Sequence, residues 1–364
     1  MKKTIYILAP YPKGHAPSQR FRFEQYLDIL EKEGFEVKFY SFLSDKTWKT
    51  LYQPGNYLGK FFQVMLSFLK RWGLIFKLRK ADHVFVHREM AHIGPPIFEW
   101  ISSKVLGVKY IYDFDDAIWL PNYSEANARF QRLKAYWKVK YCMKWAYKVT
   151  AGNDYLADFA RKYNDNVQII PTTIDLQHHH NLETDQTKRP VVIGWTGTHT
   201  TMRYIKEIIP VLQQLEKDHD FEFHVISNEK PDFKLKSLRF IPWKKETEIK
   251  DLARIQIGVM PLVEDQWSAG KCGFKALQYM ALGIPTLLSP VGVNKDIVED
   301  KRSGFFCSTS EEWKQNLILL LTDELLRNTI GKEGKLRVIQ DYSVEALEIR
   351  YLGLFKESPE SIDQ

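Results

Sequence analysis

Residues Ser268–Val298 read SAGKCGFKALQYMALGIPTLLSPVGVNKDIV, and this stretch decides how the chain is understood. FKALQYMALG has helical spacing and stops at Gly-Ile-Pro, after which PTLLSP reads as a short buried strand. Ahead of the helix stand Gly270 and Gly273, with Lys271 and Lys275 on either side of Cys272, Gly273 and Phe274. The leading N–H groups of a helix lack intrahelical acceptors and carry about half a positive charge, which suits a phosphate. With the helix beginning near Cys272 or Gly273, the glycines let the backbone approach a diphosphate, and two lysines four apart share one helical face. A glycine-flanked core helix with two solvated lysines uses the same letters. The strand that follows, ending in a second glycine loop, favours the anion site.

Outward from this stretch the chain alternates strands and helices. TIYILAPYP is a strand, SQRFRFEQYLDILEKEGF a helix, EVKFYSF a strand, and 57–80 a long helical region. HVFVHRE and KYIYDFD are strands around the helical PPIFEWISSKVLG; a helix over 126–146 leads to KVTAGN and VQIIPTTID. The polar, aperiodic LQHHHNLETDQTKRP is the linker candidate. The grammar then restarts with VVIGWTG, the helix MRYIKEIIPVLQQLEK, FEFHVIS, LRFIPW, EIKDLARI and IGVMPL, and closes with two helices over 311–355. Such alternation predicts parallel sheets covered on both faces, with ligands at the carboxyl ends of the strands. The expected organisation is a domain over 1–176, a linker over 177–190, a second domain over 191–338, and a C-terminal helix and tail over 339–364. That helix is expected to pack back on the first domain, and the polar ESPESIDQ at 357–364 to fray.

The 364 residues suit two ordinary domains, and the composition is that of a soluble globular chain. Three distant cysteines, Cys142, Cys272 and Cys307, fit neither a disulfide framework nor a zinc site and point to a reducing compartment. The opening MKKTIYILAPYPKG is too short in its apolar run for a signal peptide, and no segment reaches the about 20 apolar residues of a membrane span. The expectation is a cytoplasmic protein. A formal charge of +7 predicts an anionic partner, be it nucleic acid, lipid headgroups or a phosphorylated substrate.

KCGFKALQYMALGIPTLLSPVGVNKDIVEDKRSGFF resembles the donor-binding region of GT-B glycosyltransferases of family GT4. APYP…SQRFRFEQYLDILEKEGFEV resembles the acceptor-side strand-loop-helix of that family, and GNDYLADFA…IIPTTID its approach to the linker. The resemblance implies two doubly wound Rossmann-like domains facing across a cleft. The C-terminal domain would bind a nucleotide-diphosphate sugar, of UDP or GDP type, and the N-terminal domain a glycan or lipid-linked acceptor. It also implies transfer with retention, no catalytic metal and no further cofactor, in cell-surface polysaccharide or glycoconjugate synthesis. Two departures stand out. The family's paired glutamates fall here on Gly270 and Gln278; Gln278 can still meet a ribose hydroxyl, and Lys271 takes over at the sugar. The family's phosphate-holding Gly-Arg pair falls on GWTGTHTTMRYI, where Trp195 stands for the arginine and Arg203 is the remaining nearby cation. The diphosphate is then left to Lys271, Lys275 and the backbone around Gly194, Thr196, Gly197 and Thr198. Pro261, Cys272, Gly273 and Phe274 complete the donor set, and Trp243 in RFIPWKKE falls where the family stacks the nucleobase, or packs structurally.

IYDFDDAIWLP places Asp113, Asp115 and Asp116 after a strand. Three close carboxylates need cations or altered pKa values. The loop matches the family's His-Asp position, where a carboxylate orients the acceptor or takes its proton. A cap paired with Arg20 or Arg22 explains it as well, and Asp-x-Asp as a metal element of the GT-A fold is the weaker reading. His87 and Arg88 end another strand, as ligand contacts or as structural residues. Gly14, Ser18, Arg20 and Arg22 in PKGHAPSQRFR form a loop for donor phosphates or an anionic acceptor, or a solvated helix end. The three histidines at 178–180 lie in a polar linker, where adjacent imidazoles rarely share one metal. Finally, NYLGKFFQVMLSFLKRWGLIFKLRK and RFQRLKAYWKVKYCMKWAYK mix Lys and Arg with Trp, Phe and Leu. Helices of this kind lie on anionic membranes, here the inner face of the cell membrane, unless they simply cover the sheet. No nucleic-acid motif accompanies the charge. A glycosyltransferase is the expected function; an epimerase or hydrolase of nucleotide sugars, or a non-catalytic binder, would use the same residues.

Overall fold

A computed structural model describes residues 2–51, 53, 55–121 and 131–356. The start of the expected helix over 126–146 and the tail expected to fray at 357–364 lie outside the described residues. The chain divides into two compact units, Met1–Pro171 with Glu348–Gln364, and Thr172–Leu347.

The first unit is built on six parallel strands: β1 (Thr4–Ala9), β2 (Glu36–Ser41), β3 (His83–His87), β4 (Tyr110–Phe114), β5 (Lys148–Ala151) and β6 (Val167–Ile169). Their order is β2-β1-β3-β4-β5-β6, so the direction of winding reverses beside β1. Strands covered on both faces are apolar along their length, and β3, β4 and β5 are buried at every residue. From Glu348 on, the chain packs here too: Tyr351 stacks on Tyr26 at 3.9 Å between centroids.

The second unit repeats the plan with β7 (Val191–Gly197), β8 (Phe221–Ser227), β9 (Leu238–Pro242), β10 (Ile257–Met260), β11 (Thr286–Leu288) and β12 (Phe305–Phe306). The order β12-β11-β10-β7-β8-β9 puts the reversal between β7 and β10. Every pairing in both sheets is parallel. The stretch expected as a linker, 177–190, belongs to this unit. Its polar residues serve the interior: buried Gln186 accepts from Arg327 Nε at 3.2 Å, and Thr184 N–H donates to the Leu282 carbonyl at 3.0 Å.

Several expected helices are broken. SQRFRFEQYLDILEKEGF forms three pieces, Pro17–Arg20, Glu24–Tyr26 and Leu27–Lys32. MRYIKEIIPVLQQLEK splits into a 3₁₀ segment, His199–Glu207, and a helix Ile209–Leu215 with Pro210 in its first turn, where a missing N–H is tolerated. The C-terminal region has three helices, Ser310–Thr322, Glu324–Asp341 and Val344–Lys356, rather than two. Asp323 divides the first two by capping the second, its carboxylate accepting from Leu326 N–H.

Candidate active site

Ligands of doubly wound sheets collect where strand order reverses, at the carboxyl ends. In the second unit that point is the gap between the ends of β7 and β10, which brings 196–198 and 261–273 together from distant sequence. Gly273 is the N-cap of the helix Phe274–Ala281, with φ of 64°, and a Cβ there would stand 2.0 Å from Ile297 Cδ1. Conformation and space both demand glycine, and a glycine brings no side-chain oxygen to the leading amides.

Lys275 Nζ lies 5.4 Å from the centroid of the Trp195 ring, and Lys271 Nζ 5.5 Å from that of Trp267. Both lysines are half-buried. Trp195 therefore offers an aromatic face to the very cation proposed for the diphosphate. Gly197 makes this possible: a Cβ would come within 2.6 Å of the indole and 2.8 Å of Lys275 Cε. Tyr279, on the same helix, accepts a 2.9 Å hydrogen bond from Thr196 N–H and so fixes the end of β7. Burial pushes its phenol well above the ordinary value, which keeps it a neutral acceptor. Sequence reading passed over Tyr279; the signal was a phenol on the buried face of a helix, which requires a partner.

The loop after β10 is equally fixed. Pro261 is buried, Leu262 N–H donates to Ser289 Oγ at 3.0 Å, and Asp265 caps the short helix Gln266–Ala269 through Ser268 N–H at 2.6 Å. Ser268 Oγ in turn donates to Tyr204 Oη at 3.2 Å. Cys272 is buried, Phe274 half-buried, and Thr198 and Arg203 exposed, Arg203 lying over the Tyr204 ring at 4.9 Å.

Two residues of the expected donor set have interior surroundings. Gly194 lies inside β7, where a Cβ would strike Ile255 at 2.3 Å; it is a packing position. Gln278 is buried with its amide nitrogen 3.3 Å from His180 Nε2. His180 continues to His179 at 3.0 Å, His179 to Glu248 at 3.7 Å, and Glu248 accepts from Trp243 Nε1 at 3.3 Å. The histidine run is thus part of a polar chain beneath Trp243. Among the described residues no group of three or more His, Cys, Asp or Glu side chains is disposed to hold a metal ion.

In the first unit, the sequence-selected residues separate into a buried hub and a rim. Asp113 is 2% exposed and accepts from Arg22, from Thr150 Oγ1 at 2.7 Å and from His87 Nδ1 at 2.8 Å. Arg22 also donates to the Ile170 carbonyl. Burial alone would raise the Asp113 carboxyl; the Arg22 charge and His87 override it and hold the group far below the usual carboxylate range. Asp113, Arg22 and His87, expected at the acceptor side, thus form one buried, mutually bonded cluster. Arg20, expected in the phosphate loop, is buried as well, its guanidinium 4.9 Å above the Phe21 ring.

At the rim, Arg88 adopts φ of 61°, a left-handed conformation unusual for an arginine. Its Nε and Nη2 donate to Asp115 Oδ1 at 2.8 and 2.6 Å. Burial would lower the Arg88 pKa, but Asp115 and Asp116 raise it, so the guanidinium stays charged. Asp116 accepts from Ala117 N–H at 3.2 Å. The neighbouring Glu89 is held at about 2, against its burial, by Lys138 at 2.8 Å and by His92. Gly14, with φ of 81°, donates its N–H to Glu24, while Gln19 clamps Tyr11 through both backbone groups; Ser18 is half-buried beside them.

Residues 190–323 match the family described as Glycosyl transferases group 1. Over the whole chain, solved structures share the fold at low identity. Sucrose-phosphate synthase from Thermosynechococcus elongatus superposes with a TM-score of 0.70 at 13% identity, covering 98% of each chain. The catalytic domain of starch synthase IV from Arabidopsis thaliana, bound to ADP and acarbose, gives 0.66 at 12% identity, covering 99% of each. HepE of Anabaena, in complex with UDP and glucose, gives 0.63 at 13%, covering 98% of this chain and all of that one. No curated protein matches by sequence. The fold is GT-B. Within that fold, residues 190–323 form a glycosyl transferases group 1 domain.

Proposed function

We propose that this glycosyltransferase moves a sugar from a nucleoside-diphosphate donor, held by the second unit, to a hydroxyl of a glycan or lipid-linked acceptor, held by the first. The observation that carries the reading is Lys275 poised over Trp195 beside the glycine-capped helix start, at the switch point of the second sheet. A diphosphate leaving group gains charge as the glycosidic bond breaks, and preformed cations and amides stabilise that charge without reorganising. Lys271, Lys275 and the leading amides of Phe274–Ala281 take this role, with Thr196–Thr198 as backbone support. Trp243 stacks on the base. On the acceptor side Asp115, oriented by Arg88, and Asp116 position the hydroxyl; Asp113 sets the loop through its hub. The relatives bound to UDP or ADP support a nucleotide donor, of UDP or GDP type in this reading. Transfer proceeds with retention, in polysaccharide or glycoconjugate synthesis at the cytoplasmic face of an anionic membrane.

A thermal-shift screen against UDP-, GDP- and ADP-sugars, followed by assay of nucleoside-diphosphate release, tests this. One donor class should stabilise the protein and be turned over, with Asp115→Asn slowing transfer to acceptor more than it weakens donor binding. Full transfer activity in Asp115→Asn contradicts the acceptor assignment, and donor turnover indifferent to any added acceptor identifies a hydrolase or epimerase instead.

A further inference from the structure

The helix Tyr57–Ile75 buries Ser67, Arg71, Leu74 and Ile75 on one side. Its other side, continued by Phe76, leaves Leu58, Phe62, Leu69 and Phe76 exposed at 76, 67, 63 and 62%. At about 100° per residue these four fall on one face, the reverse of the apolar-inward pattern of a surface helix. Trp72 meets Phe98 edge-on at 5.0 Å, which joins this ridge to the helix Ile97–Trp100. There an open groove of about 220 Å³ is lined by Pro96, Ile97, Trp100, Trp137, Tyr141 and Trp145. Neither 57–80 nor 133–148 contains an acidic residue, whereas Lys70, Lys77, Arg79, Lys80 and Lys144 are exposed.

We propose that this surface seats the first unit on an anionic bilayer, and that the aromatic groove takes one hydrocarbon chain of a bilayer lipid. The composition selects this occupant. Indole and phenol rings favour the boundary of headgroups and chains, lysine stems reach from apolar surface to phosphate, and a one-signed basic field attracts anionic lipid. Among the described residues no helix is long and apolar enough to cross a membrane, so the ridge lies in the interface. The groove also communicates with the proposed acceptor side. The loop from Arg88 to Pro96 runs from the end of β3 to the groove, and Lys138, on the helix carrying Tyr141 and Trp145, holds Glu89 at 2.8 Å. A lipid chain in the groove thus lies one loop away from Arg88 and Asp115. That consequence rests on the lipid-linked acceptor proposed above; membrane seating does not.

The test omits nucleotide sugar, so its failure and failure of the glycosyl-transfer reading are separate results. The full chain is sedimented with phosphatidylcholine vesicles, with or without phosphatidylglycerol, and its tryptophan fluorescence is followed on vesicles with brominated acyl chains. Binding should be at least about tenfold tighter with phosphatidylglycerol, with strong quenching by brominated chains. The variant L58E/F62E/L69E should lose sedimentation while keeping its circular dichroism. The variant W100F/W137F/W145F should still sediment, but its quenching should fall. No sedimentation of the wild type with phosphatidylglycerol overturns the proposal, and unchanged quenching in the three-phenylalanine variant overturns the groove assignment. A wild-type dimer without lipid that L58E/F62E/L69E turns into a monomer assigns the ridge to a second copy and equally overturns it.

Discussion

Lys275 is the residue proposed to compensate for the cation missing at position 195. The sequence places Trp195 where a cation is expected, and the fold sets the Lys275 ammonium 5.4 Å from that ring. Lys275→Ala should lower kcat/KM for donor turnover by about 100-fold, the usual scale for losing one preformed stabiliser of developing charge. A kinetic comparison with unchanged circular dichroism checks it; parity with wild type refutes the role. Gly273→Ala adds a Cβ in left-handed backbone and against Ile297, so urea denaturation should show a loss of at least about 1–3 kcal/mol. In the first unit Asp113→Asn leaves Arg22 buried without its carboxylate, and a loss of about 3–5 kcal/mol is expected in the same measurement. The glycine start of the helix at Gly273 was legible because its meaning is local. The roles of Asp113 and Tyr279 were not, because their partners, Arg22 and the Thr196 amide, arrive through strand order from 91 and 83 residues away.

At the scale of elements, two glycines inside helices make opposite predictions. Glycine costs a helix about 0.5–1 kcal/mol relative to alanine, so Gly73→Ala, with nothing within 4 Å of the new Cβ, should stabilise by about that amount. At Gly331 the same methyl group would stand 2.1 Å from the Gly283 carbonyl oxygen, where Glu324–Asp341 packs on the end of Phe274–Ala281. Overpacking of about 1–3 kcal/mol outweighs the propensity gain, so Gly331→Ala should lower Tm while Gly73→Ala raises it. Equal signs would refute the packing argument. Strand positions were readable because buried parallel strands are short, bounded apolar runs. Helix limits were misread where caps and breakers act inside a periodic run, as at Pro210 and Asp323. In 177–190 the sequence does not show which residues are interior, because hydrogen-bonding residues look alike whether they meet water or, like Gln186, a buried arginine.

Across the whole molecule, pH and nucleotide binding report on the two units in turn. In the first, Glu89 is held at about 2 in the folded chain against 4.5 ordinarily, chiefly by Lys138 acting against burial. A depressed carboxyl contributes stability that is complete above pH 4.5 and lost as pH falls toward 2. Glu89→Gln should therefore flatten the acid limb of a Tm-versus-pH curve between those limits, with lower Tm near neutrality; an unaltered acid limb would contradict the coupling to Lys138. In the second unit the proposed function depends on a diphosphate cradle around Lys275 and the Gly273-capped helix. Its most direct test is titration calorimetry of UDP, GDP and ADP into wild type and Lys275→Ala at matched salt. At least one nucleoside diphosphate should bind wild type, with affinity at least about tenfold weaker in the variant, a difference of about 1.4 kcal/mol. Equal affinity in the two proteins would contradict the account.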